Sequence, residues 1–156
     1  MNAYFMRSQK RLAFGLLGTA KAAGGGRWNP PDFPMVYLSE SLAMATLEKL
    51  VHLPMPEGLA ARFVRFHVVF SAAMVETFPV SELPADWDDK PVPASTQRLG
   101  ATWLQELRSG VIAVPSAIIP SERNFLVNPR HPDFKKLRIG KPDVFPFDSR
   151  LLRAHA

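Results

Sequence analysis

Fifteen prolines are spread along a chain of 156 residues, and they set the first limit on its fold. A proline inside a helix removes a hydrogen bond and clashes with the preceding turn. A chain interrupted this often is built from short elements joined by stiff turns, which argues against a helical bundle. The length is most simply that of one domain, residues 1–156, and is enough to bury a sizeable core. Hydrophobic residues make up 47% and charged residues 21%, ordinary for a soluble globular chain. No apolar run approaches the length needed to cross a bilayer. Arg7, Lys10 and Arg11 before Leu12 to Leu17 have the outline of a signal peptide, but the apolar part is short and broken by Gly15, so that reading is rejected. The chain has no cysteine, which removes disulfides, cysteine-based metal sites and a thiol nucleophile together. A cytoplasmic location is compatible with that.

The net charge of +5 allows a polyanion as partner. The basic residues are scattered, however. The densest groups, Arg7/Lys10/Arg11 and Lys135/Lys136/Arg138, are not interleaved with aromatics as a single-strand binding face would be. A small anionic ligand or an acidic protein partner fits this spread equally well.

Read in order, Ser8 to Leu17 has the pattern of a short helix weakened by Gly15 and Gly18. Asn29-Pro30-Pro31-Asp32 is turn chemistry, and Met35 to Leu38 reads as a short buried strand. Ser39 or Ser41 can cap a helix to about Leu53, ended by Pro54, with Ala43, Leu47, Leu50 and Val51 as its apolar stripe. Glu48 and His52 lie four apart at the edge of that stripe. Ala61 to Phe70 alternates as a strand should, and Met74 to Phe78 is a further strand candidate. Pro79 to Ala94 is a proline-rich connection long enough to suggest a role. A second helix runs from a Ser95 cap to about Ser109, with Leu99, Trp103 and Leu107 on one face and Gly110 as the stop. Strands follow at Val111–Pro115, Asn124–Val127 and, at an edge, Phe134–Ile139. Phe145 and Phe147 are placed to pack back on the sheet. Strands outnumber helices in mixed order, so the class is α+β.

Gly24-Gly25-Gly26-Arg27-Trp28-Asn29 is the stretch with the clearest ligand chemistry. Glycines let a backbone turn with positive φ and come close to a ligand, and successive N–H groups in such a turn can make an anion site. Arg27 adds a planar fork suited to phosphate, Trp28 a flat face and Asn29 an amide. Read alone, the same stretch is also an ordinary surface turn.

Other chemistries leave little trace. The histidines, His52, His67, His131 and His155, include no HExxH pattern or close pair, so no metal site is expected. Gly-x-Ser-x-Gly, the Walker loop and G-x-G-x-x-G are all missing. Arg27, Tyr37 and Glu48 remain, spread over turn, strand and helix. They suit cleavage of a ribosyl bond to a pyridinium leaving group. That group departs neutral, and the transition state resembles the oxocarbenium ion of glycoside hydrolysis. A carboxylate near the ribose stabilises the cation, an arginine holds a pyrophosphate, and an aromatic ring stacks on nicotinamide. The plainer alternative has Tyr37 in the core, Glu48 in a helix-edge pair and Arg27 in solvent.

Several stretches together resemble the RES domain: Gly25-Gly26-Arg27-Trp28-Asn29; Val36-Tyr37-Leu38-Ser39-Glu40-Ser41; Leu47-Glu48 with His52; Thr96 with Leu99-Gly100 and Trp103-Leu104; Val114-Pro115-Ser116-Ala117; Asn124; and Asn128-Pro129-Arg130-His131-Pro132. The resemblance covers about residues 18 to 150, in the family's order. It implies the toxin of a bacterial type II toxin–antitoxin pair, with a fold like the ADP-ribosyltransferase toxins: a compact α+β domain of mixed β-sheets and flanking helices. Family members consume NAD by hydrolysis or phosphorolysis and arrest growth, while some relatives transfer ADP-ribose to a protein. The partner it implies is an Xre-like antitoxin that blocks the cleft and supplies the only link to nucleic acid. By position, Arg27, Tyr37 and Glu48 become the catalytic set. Gly26, Trp28, Ser116 and Asn124 become substrate-binding residues. NAD is a substrate rather than a cofactor, with inorganic phosphate as a conceivable co-substrate. The beginning departs from the family pattern of an arginine directly after an aromatic, since Tyr4 is followed by Phe5-Met6 and only then Arg7. Two rival functions are mono-ADP-ribosyl transfer to a protein and a basic module that grips RNA or a protein without catalysis.

Overall fold

The computed structural model describes residues 1–8, 25–53 and 62–152. The expected helix from Ser8 to Leu17 lies almost wholly outside them. The described strands are β1 (Asn2–Ser8), β2 (Val36–Ser39), β3 (Phe63–Val69), β4 (Val75–Thr77), β5 (Val111–Pro115), β6 (Arg123–Val127), β7 (Arg138–Ile139) and β8 (Asp143–Phe145). They form one sheet in the order β4-β5-β6-β2-β1-β3-β7, with β8 also paired to β3. The β4–β5 pair is parallel and the other pairs are antiparallel. Among the described residues two α-helices flank the sheet, α1 (Leu42–Leu50) and α2 (Ala94–Glu106). The α+β class is as the sequence indicates.

Alternation along the strands sorts side chains onto two faces. Val36 and Leu38 of β2, Val111 and Ala113 of β5, and Phe125 and Val127 of β6 share one buried cluster with Ala3, Phe5, Val68 and Phe70. The residues between them, Ile112, Val114 and Leu126, face the opposite cluster, which holds Trp28, Met35, Trp103 and Leu104 and against which Tyr37 packs. Both faces of the central strands are therefore apolar, as their short continuous hydrophobic runs require. The sheet is curled. β6 and β3 are three strand spacings apart, about 14 Å on a flat sheet, yet the Phe125 and Phe70 rings meet edge to face at 5.3 Å.

The strand β1 has no counterpart in the sequence expectations, and it lies near the middle of the sheet. Its seven residues pair with β3 from Asn2↔Val69 to Ser8↔Phe63. An arginine at Arg7 and apolar residues on both faces hide the two-residue alternation. By register, Tyr4 shares a face with Ser39, so Ala3, Phe5 and Arg7 point the other way. Arg7 is buried. Met6 occupies the face of Tyr4, where its sulfur accepts from the Thr46 hydroxyl.

Helix α1 is capped by Ser41, whose hydroxyl accepts from the Met44 N–H. Helix α2 starts without a side-chain cap, since Ser95 lies inside its first turn and donates to Asp86 Oδ1. It ends at Leu107 in the left-handed conformation, three residues before the expected glycine stop. Leu107 is consequently exposed, and Gly100 and Leu104 complete the buried stripe with Trp103. The expected edge strand over Phe134–Ile139 is mostly a 3-10 turn, Pro132–Lys136, begun by a proline and capped by the His131 ring; only Arg138–Ile139 pairs with β3. No described helix is long and apolar enough to cross a membrane.

Candidate active site

The Gly-Arg-Trp turn is held from three sides. Gly26 N–H donates to Asn29 O at 2.8 Å, closing a tight bridge. Gly25 has φ +64°, and a Cβ there would stand 2.7 Å from Asn29 O, so this position requires glycine. Helix α2 lies against the turn: Gln97 Nε2 donates to Gly26 O at 3.0 Å. A Cβ on Gly100 would fall 1.7 Å from Trp28 O, so only a glycine lets the helix come so near. The connection between Phe78 and α2 supplies the third side. Its Trp87 ring stacks on Trp28 at 6.4 Å, and its Trp87 and Asp89 carbonyls accept from Arg27 Nη1 at 2.8 and 3.1 Å.

Two sequence expectations change here. The turn is not an open anion cradle, because Gly26 N–H serves Asn29 and Trp28 N–H serves the Tyr37 hydroxyl. Trp28 is 3% exposed and belongs to the core, so its flat face meets Trp87 and not a ligand. Arg27 keeps its potential in part. It is half-buried, and its Nε/Nη2 edge makes no hydrogen bond among the described residues.

Tyr37 rises from β2 beneath this turn. Its hydroxyl donates to Asn29 Oδ1 at 2.6 Å and accepts from Trp28 N at 3.0 Å. Asn29 is fully buried, and its Nδ2 donates to Phe33 O at 2.8 Å. A Cβ on Gly26 would sit 2.6 Å from the Tyr37 hydroxyl, which gives Gly26 a packing reason to be glycine. Burial pushes the Tyr37 phenol well above its ordinary pKa; the Trp28 N–H and the Arg27 charge oppose this, while the Glu48 charge adds to it. Tyr37 is therefore a neutral phenol with its hydroxyl engaged. The charges of Arg27 and Glu48 thus both bear on this phenol, with opposite sign.

Glu48 leaves the second turn of α1 and crosses to the sheet. Its Oε1 accepts from Asn124 Nδ2 at 2.5 Å and from Ser116 Oγ at 3.0 Å. Its Oε2 has no hydrogen-bond partner among the described residues. Ser116, just past the β5 proline, is fully buried, and its Oγ also accepts from Ile118 N at 3.1 Å and Ile119 N at 3.3 Å. It is thus turned towards Glu48 and closed to a substrate, unlike the direct ligand contact that the sequence suggests. Asn124 Oδ1 in turn accepts from Ser39 Oγ at 2.9 Å. The Ser39 contact and the Trp87/Asp89 carbonyl clamp carry no motif in the sequence. The alternating, strand-ending position of Ser39 beside a helix cap is the one signal that could have found it.

Elsewhere, a hollow of about 320 Å³ is lined by Tyr4, Arg65, His67, Lys141 and Asp143. It contains none of Arg27, Tyr37, Glu48, Ser116 and Asn124. His67 stacks on Tyr4 at 5.1 Å and is exposed. Among the described residues no group of His, Asp and Glu is placed to hold a metal ion.

The chain is similar to known proteins over most of its length. The RES domain family matches residues 5–148. "Toxin Res" of Yersinia enterocolitica is 34% identical over 152 residues, covering 97% of this chain and 99% of that protein. The "Prs ADP-ribosylating toxin" of a Sphingobium species is 36% identical over 143 residues, covering 88% and 87%. "Toxin Res" of Pseudomonas putida is 37% identical over 142 residues, covering 87% and 92%. Among solved structures, the M. tuberculosis MbcT–MbcA toxin–antitoxin complex contains a chain that superposes with a TM-score of 0.67 at 20% identity, over 92% of this chain and 83% of that one. With a family match over nearly its whole length and relatives above 30% identity, this chain belongs to the RES domain family.

Proposed function

We propose that this chain is the toxin of a toxin–antitoxin pair and that it breaks the nicotinamide–ribose bond of NAD. The observation that carries the reading is the half-occupied carboxylate of Glu48. One oxygen is fixed by two donors and the other has no hydrogen-bond partner among the described residues, while its charge and that of Arg27 both bear on the Tyr37 phenol. The names borne by the relatives support the same direction.

In the proposed reaction the Arg27 Nε/Nη2 edge grips the pyrophosphate as a bidentate fork. The Tyr37 ring packs on the nicotinamide or its ribose; its hydroxyl is committed elsewhere. The bond from C1″ of the nicotinamide ribose to the pyridinium nitrogen breaks, and nicotinamide leaves neutral with the electron pair. Glu48 Oε2 faces the ribosyl cation and its hydroxyls, where a fixed negative charge lowers the barrier. Water then adds to C1″ and loses a proton, giving ADP-ribose; inorganic phosphate in its place gives ADP-ribose 1″-phosphate. Ser116 and Asn124 hold Glu48 in place. NAD as substrate puts the activity in the cytoplasm. An Xre-like antitoxin is the proposed partner, since the solved neighbour is a toxin–antitoxin complex. The charge of +5 suits an acidic antitoxin segment.

The experiment is incubation of the purified chain with NAD, with and without phosphate, and identification of the products. Nicotinamide release supports the reading, and NAD recovered intact counts against it. A second reading, transfer of ADP-ribose to a protein, is favoured by the name of the Sphingobium relative. It predicts label from NAD on a target protein instead of free ADP-ribose.

A further inference from the structure

Glu48 is held by Asn124, and Asn124 is held at its other end by a residue of a different strand. We propose that Ser39 is a positioning residue for Glu48, acting through the Asn124 side chain. The inference rests on the proposed role of Glu48.

The register places Ser39 and Asn124 directly opposite each other on β2 and β6, so their side chains leave the same face about 5 Å apart. Ser39 is 5% exposed and lies at the end of its strand, where α1 is about to begin. Its hydroxyl donates to Asn124 Oδ1 at 2.9 Å, and Asn124 Nδ2 donates to Glu48 Oε1 at 2.5 Å. A carboxylate only accepts, whereas an amide has one accepting and one donating end. The chain can therefore run in one direction only: hydroxyl to amide oxygen, amide nitrogen to carboxylate. Each bond polarises the next. Held at both ends, Asn124 cannot swing about its side-chain torsions, and Glu48 Oε1 stays where Ser116 also reaches it. Without the Ser39 hydroxyl, Asn124 keeps only its carboxylate end fixed, and its oxygen loses its donor. The carboxylate then loses the rigidity that keeps Oε2 aimed at a substrate.

The test compares Ser39→Ala, Ser39→Thr and Ser39→Val in the full chain. Thr and Val have nearly the same shape and differ by the hydroxyl, so they separate the donor from the space it fills. Two quantities are read: NAD turnover as separate kcat and KM, and hydrogen exchange of the Asn124 side-chain amide by NMR, its signal identified by loss in Asn124→Ala. Ser39→Ala is expected to lower kcat about tenfold with KM within about twofold, as for loss of alignment without loss of binding. The Asn124 amide should exchange about tenfold faster, in line with an opened hydrogen bond. Ser39→Thr should restore both, and Ser39→Val should not. The proposal is overturned if Ser39→Ala matches the parent in amide exchange, or if Thr and Val behave alike. If the parent itself leaves NAD intact, the proposed reaction fails, and the exchange measurements still decide the role of Ser39.

Discussion

Asn124 Nδ2 reaches Glu48 Oε1 at 2.5 Å across 76 residues of sequence. Asn124 is the second residue of β6 and Glu48 lies in the second turn of α1, so the contact ties a helix that packs on β1 and β2 to β6 as well. It also divides the carboxylate into an anchored oxygen and an available one. Everything proposed for catalysis uses that division.

Ser116 is expected to matter for stability and turnover together. Its hydroxyl serves Glu48 and the Ile118 and Ile119 amides while fully buried. Ser116→Ala removes the acceptor of two part-buried N–H groups and one of the two donors to Glu48 Oε1. The expected cost is about 1–3 kcal/mol of stability, read from chemical denaturation, together with a fall in kcat. A variant as stable and as active as the parent would refute the role.

Tyr37 separates its ring from its hydroxyl. With the hydroxyl bonded to Asn29 and Trp28, Tyr37→Phe should keep most NAD turnover, and Tyr37→Ala should lose it. Tyr37→Phe removes the donor to buried Asn29 Oδ1 and the acceptor of Trp28 N–H and should destabilise by about 1–3 kcal/mol. The pH dependence follows from the raised folded-state pKa of the phenol. Below the unfolded value, about 10, the phenol is protonated in both states and its contribution is intact. As pH climbs from there towards the folded value, the unfolded state ionises first and stability is lost. Denaturation curves between pH 9 and 12 should show this alkaline loss in the parent and a flatter limb in Tyr37→Phe.

Arg27 joins the connection over residues 79–93 to the rest of the site through two carbonyls. Arg27→Lys cannot reproduce both the clamp and a bidentate edge. Faster hydrogen exchange of the Trp87–Asp89 backbone and a KM raised about tenfold or more, the value of one charge-assisted contact, are expected. Unchanged exchange in that connection would show that the clamp is dispensable.

Gly100 is a test of packing alone. A methyl group there meets Trp28 O at 1.7 Å, so α2 must move off the turn. Gly100→Ala should cost about 1–3 kcal/mol or more despite a gain in helix propensity, measured as a lowered denaturation midpoint. A stabilised variant would contradict the close approach.

Much of this was legible in the residues, for identifiable reasons. The strand β3 alternates and carries its neighbours' register, and Ser41 caps α1 in the usual way, so both could be read locally. Arg27, Tyr37 and Glu48 could be named from their chemistry and the family pattern. The arrangement of Glu48 with Ser116 and Asn124 could not, because it depends on strand register across separate segments. β1 was hidden because apolar side chains stand on both of its faces and an arginine, Arg7, stands on the buried one, so its burial alternates where its sequence does not. Leu107 joined the apolar stripe on spacing alone, but α2 stops there in a left-handed turn that leaves the side chain exposed. Trp28 offered a plausible stacking surface until Trp87, in the proline-rich connection before α2, covered it.

The most direct test replaces the charge of Glu48 and nothing else. Glu48→Gln keeps an oxygen that can accept from Ser116 and Asn124, so the fold should stand and the denaturation midpoint should stay close to the parent's. Nicotinamide release from NAD should fall by about a hundredfold or more, the scale of losing one transition-state electrostatic contact. Release at the parent rate by a folded Glu48→Gln protein would contradict the account.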